Sequence, residues 1–268
     1  MQQILKTGRG LWVFAVFCQL LLNCACVGNS QVTGKGTIKA AEAFSLFPNL
    51  KLDSLTNTWR VATYDSQFAR IYYYGDWTLY RISYTQQVST SDDDRIDELP
   101  KTIKYFTIIS SKNSDSVYKY DTTSIKSGIM IGNKDSVFAR LPLLGFNVDS
   151  MMNQVTYKLI DSKKDGDILH EQYSVRSLTD SSQTGTLFLT FSGKKLKDIP
   201  YSWGKNLEAK KKLRLAEIVT IMDGRYIESC KCSIEKMELP NTLTEVHLTQ
   251  EEESEIRRIL KEAVTILH

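Results

Sequence analysis

With 268 residues, 42% of them hydrophobic and 24% charged, the chain is long enough to bury a core and too apolar to be a disordered segment. The net charge of +3 comes from 34 Lys and Arg against 31 Asp and Glu. Setting aside Lys6 and Arg9 leaves 32 against 31, too even a balance for a nucleic-acid-binding domain.

The first residues read as an export signal. Met1 to Gly10 carries Lys6 and Arg9 and no acid, Leu11 to Leu22 is apolar, and small or polar residues follow from Asn23 to Ser30. The apolar run is too short for a membrane span, which needs about twenty residues. Leu21-Leu22-Asn23-Cys24 resembles a bacterial lipobox, in which the cysteine is lipidated and becomes the mature N-terminus. Leu21 matches that pattern and Asn23 departs from it, since Gly, Ala or Ser is usual before the cysteine. The resemblance covers the leader alone and implies a membrane anchor at Cys24, with the protein facing out of the cytoplasm. Ordinary cleavage after Gly28, and hence plain secretion, is the alternative. No asparagine lies in an N-x-Ser/Thr sequon, which weighs toward a bacterial protein.

The organisation expected is a leader over residues 1–24, a tether over 25–36 and one β-rich domain over 37–268. Thr37 to Phe47 is expected as a short helix stopped by Pro48. Beyond Thr56 strands alternate with turn dipeptides. Gly75-Asp76, Asp165-Gly166 and Asp223-Gly224 each separate two alternating apolar runs, the strongest short-range hairpin signal. Further strands are expected from Thr102, Ser116, Ser136 and Thr186. Thr249-Gln250-Glu251-Glu252 is a capping box that opens a helix over 250–267. Ile256, Ile259, Leu260, Ala263, Val264 and Leu267 give that helix one apolar face, directed to the concave side or an open edge of the sheet. The fold class is therefore mostly β, all-β or α+β, with an antiparallel sheet curled around a C-terminal amphipathic helix.

Catalytic signatures are weak. There is no G-x-S-x-G and no H-E-x-x-H. Ser192-Gly193-Lys194-Lys195 fits S-x-x-K by letter but sits in a turn after a strand. A two-residue turn at Asp165-Gly166 sets Asp161 opposite His170, a local pair with no nucleophile attached. The run Asp161 to Gly166 lacks the ligands of a calcium loop, because Lys163 stands where an oxygen is needed. Asp92, Asp93, Asp94, Asp97 and Glu98 form an acidic loop read as solvated. Neither a metal nor a cofactor is expected. Cys230 and Cys232 share one strand face with core residues and are read as buried thiols. A disulfide is the alternative, because same-face neighbours lie roughly 6.6 Å apart, at the upper edge of what a disulfide tolerates. A metal site is the third reading.

The first hairpin carries the one candidate ligand surface. A turn at Gly75-Asp76 sets Tyr74 opposite Trp77, Tyr72 opposite Leu79 and Arg70 opposite Arg81, while Ala69, Ile71, Tyr73, Tyr80, Ile82 and Tyr84 form the other face, read as core. Both faces are aromatic or apolar, and two arginines directly opposed need acidic compensation. Either other segments cover the face of Tyr72, Tyr74, Trp77 and Leu79, or a partner does, or it lines a groove. In a groove the rings would stack on a small apolar ligand, and Arg70 and Arg81 would hold an anionic end. The function expected is that of an exported, lipid-anchored binding or structural protein of the cell envelope that is not an enzyme. Its partners are the membrane and an apolar or anionic small ligand, without nucleic acid. A secreted hydrolase with a site assembled from scattered residues is the alternative.

Overall fold

The computed structural model describes residues 36–86, 102–120 and 129–267. The leader with Cys24 and the acidic run from Asp92 to Glu98 lie outside them. Among the described residues, thirteen strands form one sheet. In chain order they are β1 (Lys39–Asp53), β2 (Thr58–Tyr74), β3 (Trp77–Gln86), β4 (Thr102–Ser111), β5 (Ser116–Tyr120), β6 (Ile129–Asn133), β7 (Val155–Asp165), β8 (Ile168–Ser177), β9 (Thr184–Ser192), β10 (Arg214–Met222), β11 (Arg225–Ile227), β12 (Cys232–Ile234) and β13 (Met237–Val246). Five helices accompany them: α1 (Lys134–Phe138), α2 (Pro142–Gly145), α3 (Val148–Met152), α4 (Lys205–Lys211) and α5 (Gln250–Leu267).

The spatial order is β6-β5-β4-β3-β2-β1-β13-β10-β9-β8-β7. Two meanders, β1–β6 and β7–β10, thus meet where β13 lies between β1 and β10. All pairs are antiparallel except a short parallel contact of β12 with β2. Residues from both meanders share one apolar cluster, for example Ile71, Tyr80 and Ile108 with Leu189, Phe191 and Ile218. That sharing requires the sheet to curl toward this inner face. The hollow is filled by α1–α3 and by residues 193–213, which add Leu143, Val148, Leu196, Ile199 and Trp203 to the cluster. The sheet therefore curls around these two connections and not around the C-terminal helix. Helix α5 lies on the outer face, over β1–β5, with Ile256, Ile259 and Leu260 buried.

Several expectations are corrected. Thr37 to Phe47 is no helix: from Lys39 onward it is strand β1, held between β2 and β13. Ala40, Ala41, Glu42 and Ala43 favour a helix by propensity, but pairing on both sides overrides it. Ala41 and Ala43 are fully buried, leaving room for the cover above them. Pro48 is tolerated because the β13 pairing begins at Ser45, so beyond it β1 has a neighbour on one side only. The segment from Ser136 is helix α1 and not a strand, because the Asn133 side chain accepts the Asp135 N–H at 3.0 Å and caps it.

The Asp223-Gly224 hairpin does not form. β10 pairs with β9 and β13, while β11 and β12 make a small hairpin of their own. A register shift near Ala216 turns Leu215 and Ile218 inward, and leaves Val219 and Ile221 outside the buried core. Cys230 and Cys232 form a disulfide, with Cα atoms 5.2 Å apart. They are not on one extended strand: Cys230 lies in the turn, and Lys231 between them has φ +49°. That turn shortens the separation, and Cys230 is exposed while Cys232 is buried.

The β7–β8 turn centres on Gly166-Asp167, since Asp165 pairs with Ile168. Glycine then occupies the first central place, with φ +59°, as a type II′ turn requires. The register slides by two residues, so Lys163 and not Asp161 lies opposite His170.

Candidate functional site

The first hairpin has the expected register: Tyr74 pairs with Trp77, Tyr72 with Leu79 and Arg70 with Arg81. Gly75, at φ +58°, supplies the turn. The outer face is not an open groove, however. Helix α5 lies across it, so Tyr72 is 1% exposed and Leu79 0%, while Trp77 is half-buried. The helix also supplies the charge compensation that the opposed arginines need. Arg70 bonds Glu42 and Glu252, each at 2.9 Å, and Arg81 bonds Glu255 at 2.9 Å. Arg257 stands over the Tyr74 ring at 4.8 Å, and the Tyr120 hydroxyl donates to Glu262 at 2.7 Å. Burial pushes the Tyr72 hydroxyl above its ordinary pKa. The capping box forms as its spacing predicts. Thr249 accepts the Glu252 N–H at 3.2 Å, and Glu252 accepts the Thr249 N–H at 3.0 Å. Tyr72, Tyr74 and Leu79 are thus closed off by the helix, while Trp77, Arg70 and Arg81 stay partly exposed at its edges.

The inner face of the same hairpin meets a cleft of about 570 Å³. Its walls come from four places: the inner-face residues Tyr73, Thr78 and Tyr80 with the turn Gly75-Asp76 of the hairpin, Lys112, parts of the 134–147 segment, and Pro200, Tyr201, Ser202 and Lys205. Aromatic side chains make the floor. Tyr73, Tyr80, Phe138, Phe146 and Tyr201 line it; Tyr80 packs edge-on against Phe138 with ring centroids 4.8 Å apart, and the buried Trp203 backs Phe146 at 6.4 Å and Tyr201 at 6.3 Å from beneath the lining. The Tyr201 hydroxyl donates to the carbonyls of Leu143 and Leu144 at 3.3 and 3.4 Å, tying residues 193–213 to α2. Burial raises the pKa of Tyr80 to about 12 and also raises those of Tyr73 and Tyr201, so all three are neutral at physiological pH. Three lysines, Lys112, Lys134 and Lys205, and two carboxylates, Asp76 and Asp135, also line the cleft.

The cover is fixed by carboxylates. Asp149, in the first turn of α3, accepts the N–H groups of Asn206 and Leu207 at 2.8 and 3.0 Å and so seats α4. Buried Glu171 binds Lys211 and accepts the Tyr173 hydroxyl at 2.7 Å. Buried Glu208 binds Arg214 at 3.1 Å and accepts the Leu215 N–H at 3.1 Å, and burial raises its pKa. A lining of aromatic rings in which lysines outnumber carboxylates can hold an amphiphile, its apolar body on the rings and an anionic end against a lysine.

The residues weighed for catalysis do not assemble. Ser192 Oγ accepts the N–H of Lys195 at 3.0 Å, an arrangement internal to the turn, and His170 Nδ1 lies 3.2 Å from Thr190 Oγ1. Asp161 is opposite Gln172. Phe138 falls in a run whose letters suit a strand, and Phe146 and Tyr201 lie in segments without a periodic pattern, so none of the three stands out in the sequence as a cleft residue. The signals were local: Asn133 and Asn147 each precede a short helix that they cap.

No family model matches the chain, and no curated protein matches it. Among solved structures, the crystal structure of LprF from Mycobacterium bovis is similar over 77% of this chain and 84% of that one, at 8% identity and a TM-score of 0.29. A LolA superfamily protein from Nitrosomonas europaea is similar over 81% and 87%, at 7% identity and a TM-score of 0.22. At such scores neither likeness carries anything about ligand or function. Among the described residues, no helix is long and apolar enough to cross a membrane.

Proposed function

We propose that this chain is a non-enzymatic binding protein of the cell envelope, lipid-anchored through Cys24, that holds a small amphiphile in its inner cleft. The ligand class is an apolar chain or ring system ending in a carboxylate, phosphate or sulfate. One observation carries the reading: a 570 Å³ cleft whose floor is aromatic and whose lining includes Lys112, Lys134 and Lys205. The cleft also suits this class by size, since small-molecule sites span roughly 300–1,000 Å³. The anchor rests on Leu21 to Cys24 at the end of the apolar run.

Titration with a dansyl-labelled fatty acid tests the cleft. Saturable fluorescence enhancement is expected, and a dansyl-labelled alkylamine of equal length should bind about tenfold more weakly, because the three lysines of the lining outnumber its two carboxylates. Ala139→Trp fills the cleft from an exposed position and should abolish the signal without lowering Tm. Equal signals from wild type and Ala139→Trp would refute the site. Cys24→Ser should move the protein from membrane to soluble fractions. A mature N-terminus at Asn29 on the wild-type protein would refute the anchor.

A further inference from the structure

The near-even charge of the chain conceals a strongly basic segment. Gly193 to Arg214 holds eight Lys and Arg against two acids, a local charge of +6 in a chain of net +3, so the remainder is net acidic. This segment is the outer part of the cover over the inner face. Two of its cations are turned inward, Lys211 on Glu171 and Arg214 on Glu208. Lys194 lies 3.5 Å from Asp167, and Asp198 lies 3.5 Å from Lys39. Lys195, Lys197, Lys205, Lys210 and Lys212 are exposed, and among the described residues none has an ion-pair partner.

The fold gathers three of these five. Lys197, Lys205 and Lys212 line one depression of about 450 Å³, together with Ser192, Ser202 and the Glu208–Arg214 ion pair. Lys212 reaches it because helix α4 ends there, in a left-handed residue with φ +57°. The depression adjoins the cleft: Pro200, Ser202 and Lys205 line both. The basic surface and the mouth of the aromatic cleft thus open beside one wall.

We propose that the Gly193–Arg214 cover is a docking face for an anionic membrane surface, with Lys197, Lys205 and Lys212 receiving lipid phosphates. The proposal rests on the reading of the cleft as an amphiphile site, because docking there brings the cleft mouth to the surface that supplies or accepts an amphiphile. A lipid surface fits better than nucleic acid. Single-strand sites interleave exposed rings with the cations, whereas here Trp203 is fully buried and Tyr201 is turned onto the carbonyls of Leu143 and Leu144. A lysine near an anionic bilayer gains about fivefold in partitioning, and the gain is screened within a Debye length.

The test is co-sedimentation of the full chain with vesicles of phosphatidylglycerol and phosphatidylcholine, against vesicles of phosphatidylcholine alone. An N-terminal anchor contributes to both, so the readout is the ratio of the two. Wild type should prefer the anionic vesicles, and raised salt should remove the preference. Lys197→Glu/Lys212→Glu should reduce the ratio by at least about 25-fold, fivefold for each lysine. Its dansyl fatty acid titration in the absence of vesicles should match the wild type, since neither residue lines the cleft. An equal ratio for wild type and variant would overturn the proposal. So would a random DNA duplex that binds wild type but not the variant and displaces it from the vesicles. The vesicle ratio reads docking and the vesicle-free titration reads the cleft, so failure of one is not mistaken for failure of the other.

Discussion

The two faces of the β2–β3 hairpin are both rich in aromatic rings, yet they are put to opposite uses. On the outer face Tyr72, Tyr74 and Leu79 are sealed beneath α5, and each arginine meets a glutamate of the helix. On the inner face Tyr73 and Tyr80 look toward a cleft whose lysines belong to other segments. Aromatic content alone therefore does not mark a binding surface. The difference lies in what the rest of the chain lays over each side and whether its charges are already paired.

The strongest way to break this contrast is to loosen what closes each face. Lys211→Met leaves buried Glu171 with the Tyr173 hydroxyl but without its cation, and should cost about 3–5 kcal/mol in chemical denaturation. A loss under about 1 kcal/mol would mean the cover over the inner face is not held by that pair. Ile259→Ala removes a fully buried side chain of α5 and should cost about 2–5 kcal/mol. A wild-type melt for this variant would mean the helix is not seated on the outer face. Cys230→Ser/Cys232→Ser opens a loop of only a few residues and should cost about 1–2 kcal/mol, read from the same denaturation curves. Fatty acid binding should be untouched, because neither cysteine lies at the cleft.

The smallest effect is electrostatic. Hydrogen bonds with Thr249, and the nearby Arg70, hold Glu252 below its ordinary pKa of 4.5, and Tyr120 and Arg258 do the same for Glu262. A carboxylate with a lowered folded pKa stabilises above its unfolded value, and that contribution is lost as pH falls through the folded one. Buried Glu208 has the opposite sign: its raised pKa stabilises at low pH and is lost as pH rises. Attachment of α5 should therefore weaken below about pH 4.5. Hydrogen exchange at pH 6 and pH 3 should show faster opening of residues 250–267 at the lower pH. Glu252→Gln/Glu262→Gln should flatten that difference, and an unchanged difference would place its cause elsewhere.

Much of this was readable from local chemistry. The register of the first hairpin follows from a glycine at the first central place of a II′ turn, and the start of α5 from the Thr249–Glu252 box. Long-range packing was not readable. That α5 would cover the outer face depends on Glu252 and Glu255 meeting arginines over 170 positions earlier in the chain. Ala40 to Ala43 became a strand because β2 and β13 flank it, which no local propensity contains. The basic cover was visible as letters, but the even balance of the whole chain averaged it away. The cleft floor joins residues of three segments, and periodicity within any one of them does not announce a shared hollow.

The contrast between the faces is tested most directly by one binding isotherm on two variants. Dansyl fatty acid should bind Arg81→Ala with wild-type affinity, since Arg81 is occupied by Glu255 on the sealed face. It should not bind Ala139→Trp, whose new ring fills the inner cleft. The reverse pattern, binding lost with Arg81→Ala and kept with Ala139→Trp, would place the ligand beneath α5 and contradict the account.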